Sequence, residues 1–335
     1  MKTYRTFHTG TLPYSSDSTL TINLPPEEVL FFDLSLKEIH RIRGYQAIAL
    51  SDRNALLRKN HDLTFYSIEN RKVQLDLKNT RVFPFQIKEK ILLNYRKSPT
   101  LELRDFSTAD ILWHSKFEGQ NRIIQGVCNE SVFVGNILNS TTKICVDVES
   151  GKSLWRRNIN MSLEVKSTFA GNNYLIGKLL ISQASRQGYF GVNVINGELI
   201  WHLNLEKLAK ISTAISTDRM FVFVRELDNI YILTIDLLTG EVLNKELLTE
   251  QLQMLQIYPH NSESNFGQAS FYNNHLFFGS DNKLIKLNLS TYEIEMVYEH
   301  TAVFYFSKVI GSKLFYSDNN FTTLVFDLSN ISQLA

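Results

Sequence analysis

The chain has 335 residues, of which 44% are hydrophobic and 21% charged, and its 35 basic and 34 acidic side chains leave a net charge of +1. That composition excludes disordered, collagen-like and disulfide-scaffolded chains, and a balance so close to zero gives no general attraction to nucleic acid or anionic membrane. No run approaches the roughly 18 apolar residues that would span a bilayer.

From the N-terminus, Met1 to His8 has no apolar signal core, so a cytoplasmic location is expected. Strand-like stretches follow at Lys2–His8 and Thr19–Leu24, then a hairpin over Val29–Ile42 around Asp33. From there one pattern recurs: Asp or Asn, Gly four residues on, Trp eight on. Two segments carry it in full, Asp147/Gly151/Trp155 and Asn193/Gly197/Trp201. Asp105 keeps Trp113 but has Ala109 in the Gly place, whereas Asp236 keeps Gly240 but has Asn244 in the Trp place. Weaker copies begin at Asp33, Ser67, Asn288 and Asp327, which makes eight copies with a mean spacing of 42 residues.

The residue after the Asp/Asn position is apolar in all eight copies: Leu34, Ile68, Phe106, Val148, Val194, Leu237, Leu289 and Leu328. The residue before it is apolar in seven, Arg104 being the exception. A polar residue flanked this way reads as the end of a buried strand, where an Asp side chain can accept backbone N–H groups two residues on and Gly supplies a positive φ. Lys37, Arg71, Ala109, Tyr292 and Ile331 stand in the Gly place of the other copies. Such residues tolerate positive φ badly, so those turns are expected to differ or the register to slip. Between copies lie two further strand-like runs, for example Lys210–Thr217 and Met220–Arg225 before Ile230–Asp236 and Val242–Leu248. Four strands per copy are the content of a propeller blade.

The Asp-x-x-(Thr/Ser)-Gly-x-x-x-Trp pattern resembles the tryptophan-docking repeat of PQQ-like β-propellers, the quinoprotein alcohol dehydrogenase-like superfamily. The resemblance implies an all-β fold of eight four-stranded blades, with seven as the alternative if Val29–Ile42 is an appendage. One propeller domain over residues 1–335 is expected. The last copy reaches Ala335 at its Trp position, so an N-terminal strand is expected to complete the final blade and close the ring.

Enzymes of that superfamily carry an adjacent cysteine pair, calcium ligands and a catalytic aspartate. Here Cys128 and Cys145 are 17 residues apart and read as buried reduced thiols, and no ligand position matches. Gly151-Lys152-Ser153 lacks the first glycine of a phosphate-binding loop and reads as a turn. The eight histidines never pair at metal-ligand spacing. No catalytic residue, metal or cofactor is therefore expected.

The longest interval, 52 residues, contains the irregular stretch Thr249–Phe266, whose Tyr258, His260 and Phe266 are the candidate partner contacts. The reading is a monomeric, non-enzymatic platform that binds another protein through its loop face and channel mouth, with no nucleic acid or membrane partner. The alternative is an enzyme, such as a hydrolase, a lyase or a PQQ-type oxidoreductase, with a site assembled at the channel mouth from several blades.

Overall fold

The computed structural model describes residues 3–7, 13–78, 82–95, 98–117, 123–137, 142–158, 173–184, 188–205, 208–257, Phe266, 269–320 and 322–329. These form eight four-stranded antiparallel sheets, the blades of a propeller. Blades 1 to 7 comprise residues 14–43, 46–77, 82–116, 123–158, 173–204, 209–247 and 270–299, each with its strands in sequence order. Blade 8 takes three strands from residues 304–327 and its outer strand, Thr3–Phe7, from the N-terminus. Thr3–Phe7 pairs antiparallel with Thr323–Asp327, so the two ends of the chain meet in one sheet. Thr19–Leu24, the other candidate for closure, is instead the second strand of blade 1, and Val29–Ile42 is part of that blade and no appendage.

The burial pattern explains why each blade reads as it does. Second and third strands are paired on both sides and covered on both faces, so they are continuous apolar runs, as in Leu30-Phe31-Phe32 and Phe221-Val222-Phe223-Val224. Outer strands are covered on one face only and alternate, as in Glu38–Arg43 and Val242–Leu247. The core is accordingly a series of layers between neighbouring blades. One of them packs Leu179, Ile181 and Tyr189 of blade 5 against Met220, Val222 and Val224 of blade 6.

All eight repeat heads end a third strand, and at every one the head side chain accepts a backbone N–H of the turn. Asp147 Oδ1 takes the Ser150 amide at 2.7 Å, Asp236 Oδ1 that of Thr239 at 2.8 Å, and Asn193 Oδ1 that of Ile195 at 2.9 Å. Even Ser67 does so, its Oγ accepting from the Asn70 amide at 3.2 Å. Three of the turns lacking glycine keep the template's register. Arg71, Ala109 and Tyr292 hold φ of 53°, 65° and 58°, close to the 70–73° of Gly151, Gly197 and Gly240. Each non-glycine residue held there costs about 1–2 kcal/mol, which the packing around the turn must offset. Among the described turns the first differs: Leu36 is its left-handed residue, one position earlier than the template places it. Ile331 lies outside the described residues.

Glycine is needed where a tryptophan arrives from the blade before. Trp113, Trp155 and Trp201 each donate Nε1–H to a carbonyl in the turn of the following blade, that of Val148, Val194 and Leu237, at 2.7–2.8 Å. Each indole lies on that turn's glycine. A Cβ on Gly151, Gly197 or Gly240 would fall 2.6–2.8 Å from the ring. The template thus joins residues of successive copies, and the described turns without glycine are those that no tryptophan reaches.

Candidate functional site

The seams without tryptophan are closed by other side chains. Between blades 1 and 2, His40 takes the Trp place, and its Nε2 hydrogen-bonds the Tyr66 hydroxyl at 2.9 Å with the two rings parallel. Between blades 2 and 3, Gln74 donates to the Ser107 carbonyl. Between blades 8 and 1, Arg5 donates to the Leu36 carbonyl at 2.6 Å and lies over the rings of Phe7 and Phe32. The N-terminal strand therefore completes blade 8 and also holds the first turn of blade 1.

The described parts of the stretch Thr249–Phe266, residues 249–257 and Phe266, close the seam between blades 6 and 7. Thr249–Met254 forms a short helix that buries Leu252, and Ile257 after it is buried too. The Gln251 carboxamide clamps the blade 7 turn, donating to the Tyr292 carbonyl at 3.1 Å and accepting the Ile294 amide at 2.8 Å. Tyr292, in the Gly place, hydrogen-bonds Thr234 through its hydroxyl at 2.9 Å. Phe266 is buried against Phe223 and Phe278, so this candidate contact residue belongs to the core between blades 6 and 7 and is not an exposed surface. Its apolar character marks inward packing. Tyr258 and His260 lie outside the described residues.

Clusters of ionisable groups have local structural duties. Buried Arg104, the polar exception of its column, donates to Glu102 at 2.6 Å and to the Ala109 carbonyl at 2.6 Å, which secures that strained turn. Tyr95 donates to Glu102 at 3.1 Å, and burial together with the Glu102 charge pushes its hydroxyl up to about 12. His300 meets Asp318 at 2.9 Å, and Asp318 also accepts the amides of Asn320 and Thr322. His202 stacks on Phe190 and His114 is exposed. Cys128 and Cys145 are free thiols, each pushed by burial up to about 12. Among the described residues no three His, Cys, Asp or Glu side chains gather as metal ligands would. No helix of the described residues is long and apolar enough to cross a membrane. A cleft of about 510 Å³ on blade 1 is lined by Pro25, Pro26, Glu27, Glu28, Arg43 and Gly44, and within it Glu28 meets Arg43 at 3.1 Å.

The distinctive surface is a corner of blade 6. Its second and third strands, Arg219–Glu226 and Asn229–Asp236, have eight residues each where those of the other blades have five or six. At the tip of their hairpin Leu227 is 90% exposed with φ of 55°. The corresponding tips of blades 2 and 7 place Asn60 and Asp281 in this conformation, residue types that accept it, so Leu227 is both strained and wet. The helix after the blade's outer strand comes to the same corner. Thr249 Oγ1 accepts the Ile230 amide at 2.8 Å, and Met254 at the helix end is 80% exposed. Leu247, at the near end of the outer strand, is exposed as well, whereas the exposed Leu238, Val242 and Leu243 lie toward the opposite end of the blade. The sequence reading missed Leu227. Its signal is a leucine in a two-residue turn, Leu227-Asp228, between the strands ending at Glu226 and starting at Asn229.

No protein-family model matches the chain, and no curated protein does. Solved structures do match. BamB from Moraxella catarrhalis is 10% identical with a TM-score of 0.66, covering 97% of this chain and 99% of its own. Sqt1 from Saccharomyces cerevisiae is 13% identical with a TM-score of 0.68, covering 98% and 99%. The dihydro-heme d1 dehydrogenase NirN, in complex with DHE, is 11% identical with a TM-score of 0.63, covering 94% of this chain and 72% of its own. At such identities the likeness shows the fold, and as an architecture the resemblance to PQQ-like propellers holds.

Proposed function

We propose that this protein is a non-enzymatic scaffold that binds another protein, and that the exposed corner of blade 6 is a principal contact. The observation that carries the reading is Leu227, an apolar side chain kept almost wholly in water in a conformation that costs about 1–2 kcal/mol, at a tip where sister blades use Asn or Asp. Strain and exposure together have no use in the folded monomer, and a residue that bears both is a candidate for contact. Met254, exposed at the end of the helix that Thr249 anchors beside this hairpin, and Leu247 at the near end of the outer strand add apolar surface to that of Leu227, the usual character of a binding site. The rest of the propeller is the rigid frame that presents it.

Site-specific photocrosslinking in the native host tests the reading. A photoreactive group at Leu227 is expected to capture a discrete polypeptide, and Met254→Gln in the same chain is expected to abolish the capture. The same group at Lys178, in a turn of blade 5, serves as control. Equal products from both positions, or none from Leu227, would overturn the assignment.

A further inference from the structure

The charges around the blade 6 corner indicate what kind of segment it takes, an inference that rests on the scaffold reading above. Leu227 is flanked in sequence by Glu226 and Asp228, and Glu250 occupies the first turn of the helix that ends at Met254. Lys245 of the outer strand is already paired: Glu226 holds it at 2.5 Å and the Tyr231 ring lies 4.2 Å from it. Arg225 is half-buried in the hairpin. With Glu226 and Lys245 neutralising each other, Asp228 and Glu250 are left as exposed negative charges beside two exposed apolar side chains.

We infer that this corner docks a short amphipathic segment of a partner protein in which large apolar residues alternate with lysine or arginine. The apolar side chains of that segment cover Leu227 and Met254, and its cations meet Asp228 and Glu250. Complementarity of this kind fixes orientation and speeds encounter more than it adds affinity, while burial of Leu227 and Met254 supplies most of the binding energy. An acidic segment is repelled at the same corner.

The test is fluorescence anisotropy of the full chain with two synthetic probes, a labelled peptide of alternating Leu and Lys pairs and its counterpart with Glu in place of Lys. The basic peptide is expected to bind, and the acidic one is not. Asp228→Asn combined with Glu250→Gln should weaken the basic peptide roughly tenfold, as should raising the salt from about 0.1 M to about 1 M, which shortens the screening length from roughly 10 to 3 Å. Leu227→Asn with Met254→Gln should weaken it at least as much. If the apolar pair matters and the charge pair does not, the basic character of the segment is wrong while the scaffold reading stands. If neither pair matters, or the acidic peptide binds equally, docking at this corner is overturned. A partner crosslinked at Leu227 but indifferent to Asp228→Asn and Glu250→Gln separates the two readings in the same way.

Discussion

Gly197→Ala isolates what the tryptophan seams contribute. Gly197 has φ of 71° and a Cβ there would lie 2.8 Å from Trp155 Cδ2, whereas Gly177 has φ of 54° with nothing within 4 Å of its Cβ position. Alanine at either site incurs the left-handed penalty of about 1–2 kcal/mol. Only at Gly197 must a large buried ring also move, and overpacking of that kind adds about 1–3 kcal/mol. The other near atom is Arg157 Cδ at 3.1 Å, part of a flexible side chain that can shift. The excess of Gly197→Ala over Gly177→Ala is therefore expected at about 1–3 kcal/mol, read as a shift in urea midpoint at unchanged slope. In a Trp155→Ala background the ring is gone, and the excess should disappear as a coupling energy of equal size. Equal costs at the two glycines, or an excess that persists without Trp155, would refute the seam as described.

Other outcomes follow from the remaining seams and turns. Removing residues 1–7 strips the outer strand from blade 8 and the Arg5 bond from the Leu36 carbonyl, so the melting temperature should fall by many degrees; an unchanged melt would contradict closure by this strand. Gln251→Leu leaves the Tyr292 carbonyl and Ile294 amide without their clamp and should destabilise by about 1–3 kcal/mol in a denaturant titration; no effect would mean that the helix is dispensable to the seam. The carboxyls of Asp33, Asp147 and Asp236 are held below their ordinary range chiefly by turn hydrogen bonds, and that of Asp327 is held at about 2 by Lys313 and Ser329. Because the folded values lie below the unfolded ones, this stabilisation is complete above about pH 4 and is lost as pH falls toward about 2. Melting temperature should drop over that window, and Asp236→Asn, which copies the natural Asn193 turn, should flatten the drop; a flat wild-type profile would contradict it.

Much of this fold was legible in the sequence because a propeller repeats its physics. The heads from Asp33 to Asp327 mark all eight third-strand ends, and the apolar residue after each was sufficient to find them where glycine and tryptophan are missing. What a copy could not reveal was that its tryptophan belongs with the glycine of the next, since the two residues that touch are about 40 positions apart: Trp113 meets Gly151, and Trp155 meets Gly197. The same blindness made Arg71, Ala109 and Tyr292 look like faults in the register, when distant residues hold two of these turns: Gln74 of blade 2 and Arg104 at the Ala109 turn, Thr234 and Gln251 at Tyr292. Apolar residues between Thr249 and Phe266 suggested a contact surface, and Leu252, Ile257 and Phe266 are instead buried in a seam. Leu227 escaped notice because its significance lies in exposure and φ, neither of which a strand pattern encodes.

The central claim is that the Leu227 corner exists to bind a partner and not to build the propeller, and Leu227→Asn tests it most directly. Asparagine accepts the left-handed conformation, so the change relieves strain while removing the apolar contact. Affinity for the polypeptide crosslinked at this site, measured by titration calorimetry beside the melting temperature, should fall roughly tenfold or more with the melt unchanged or raised. Unchanged affinity, or a loss of affinity accompanied by a lower melting temperature, would contradict the account.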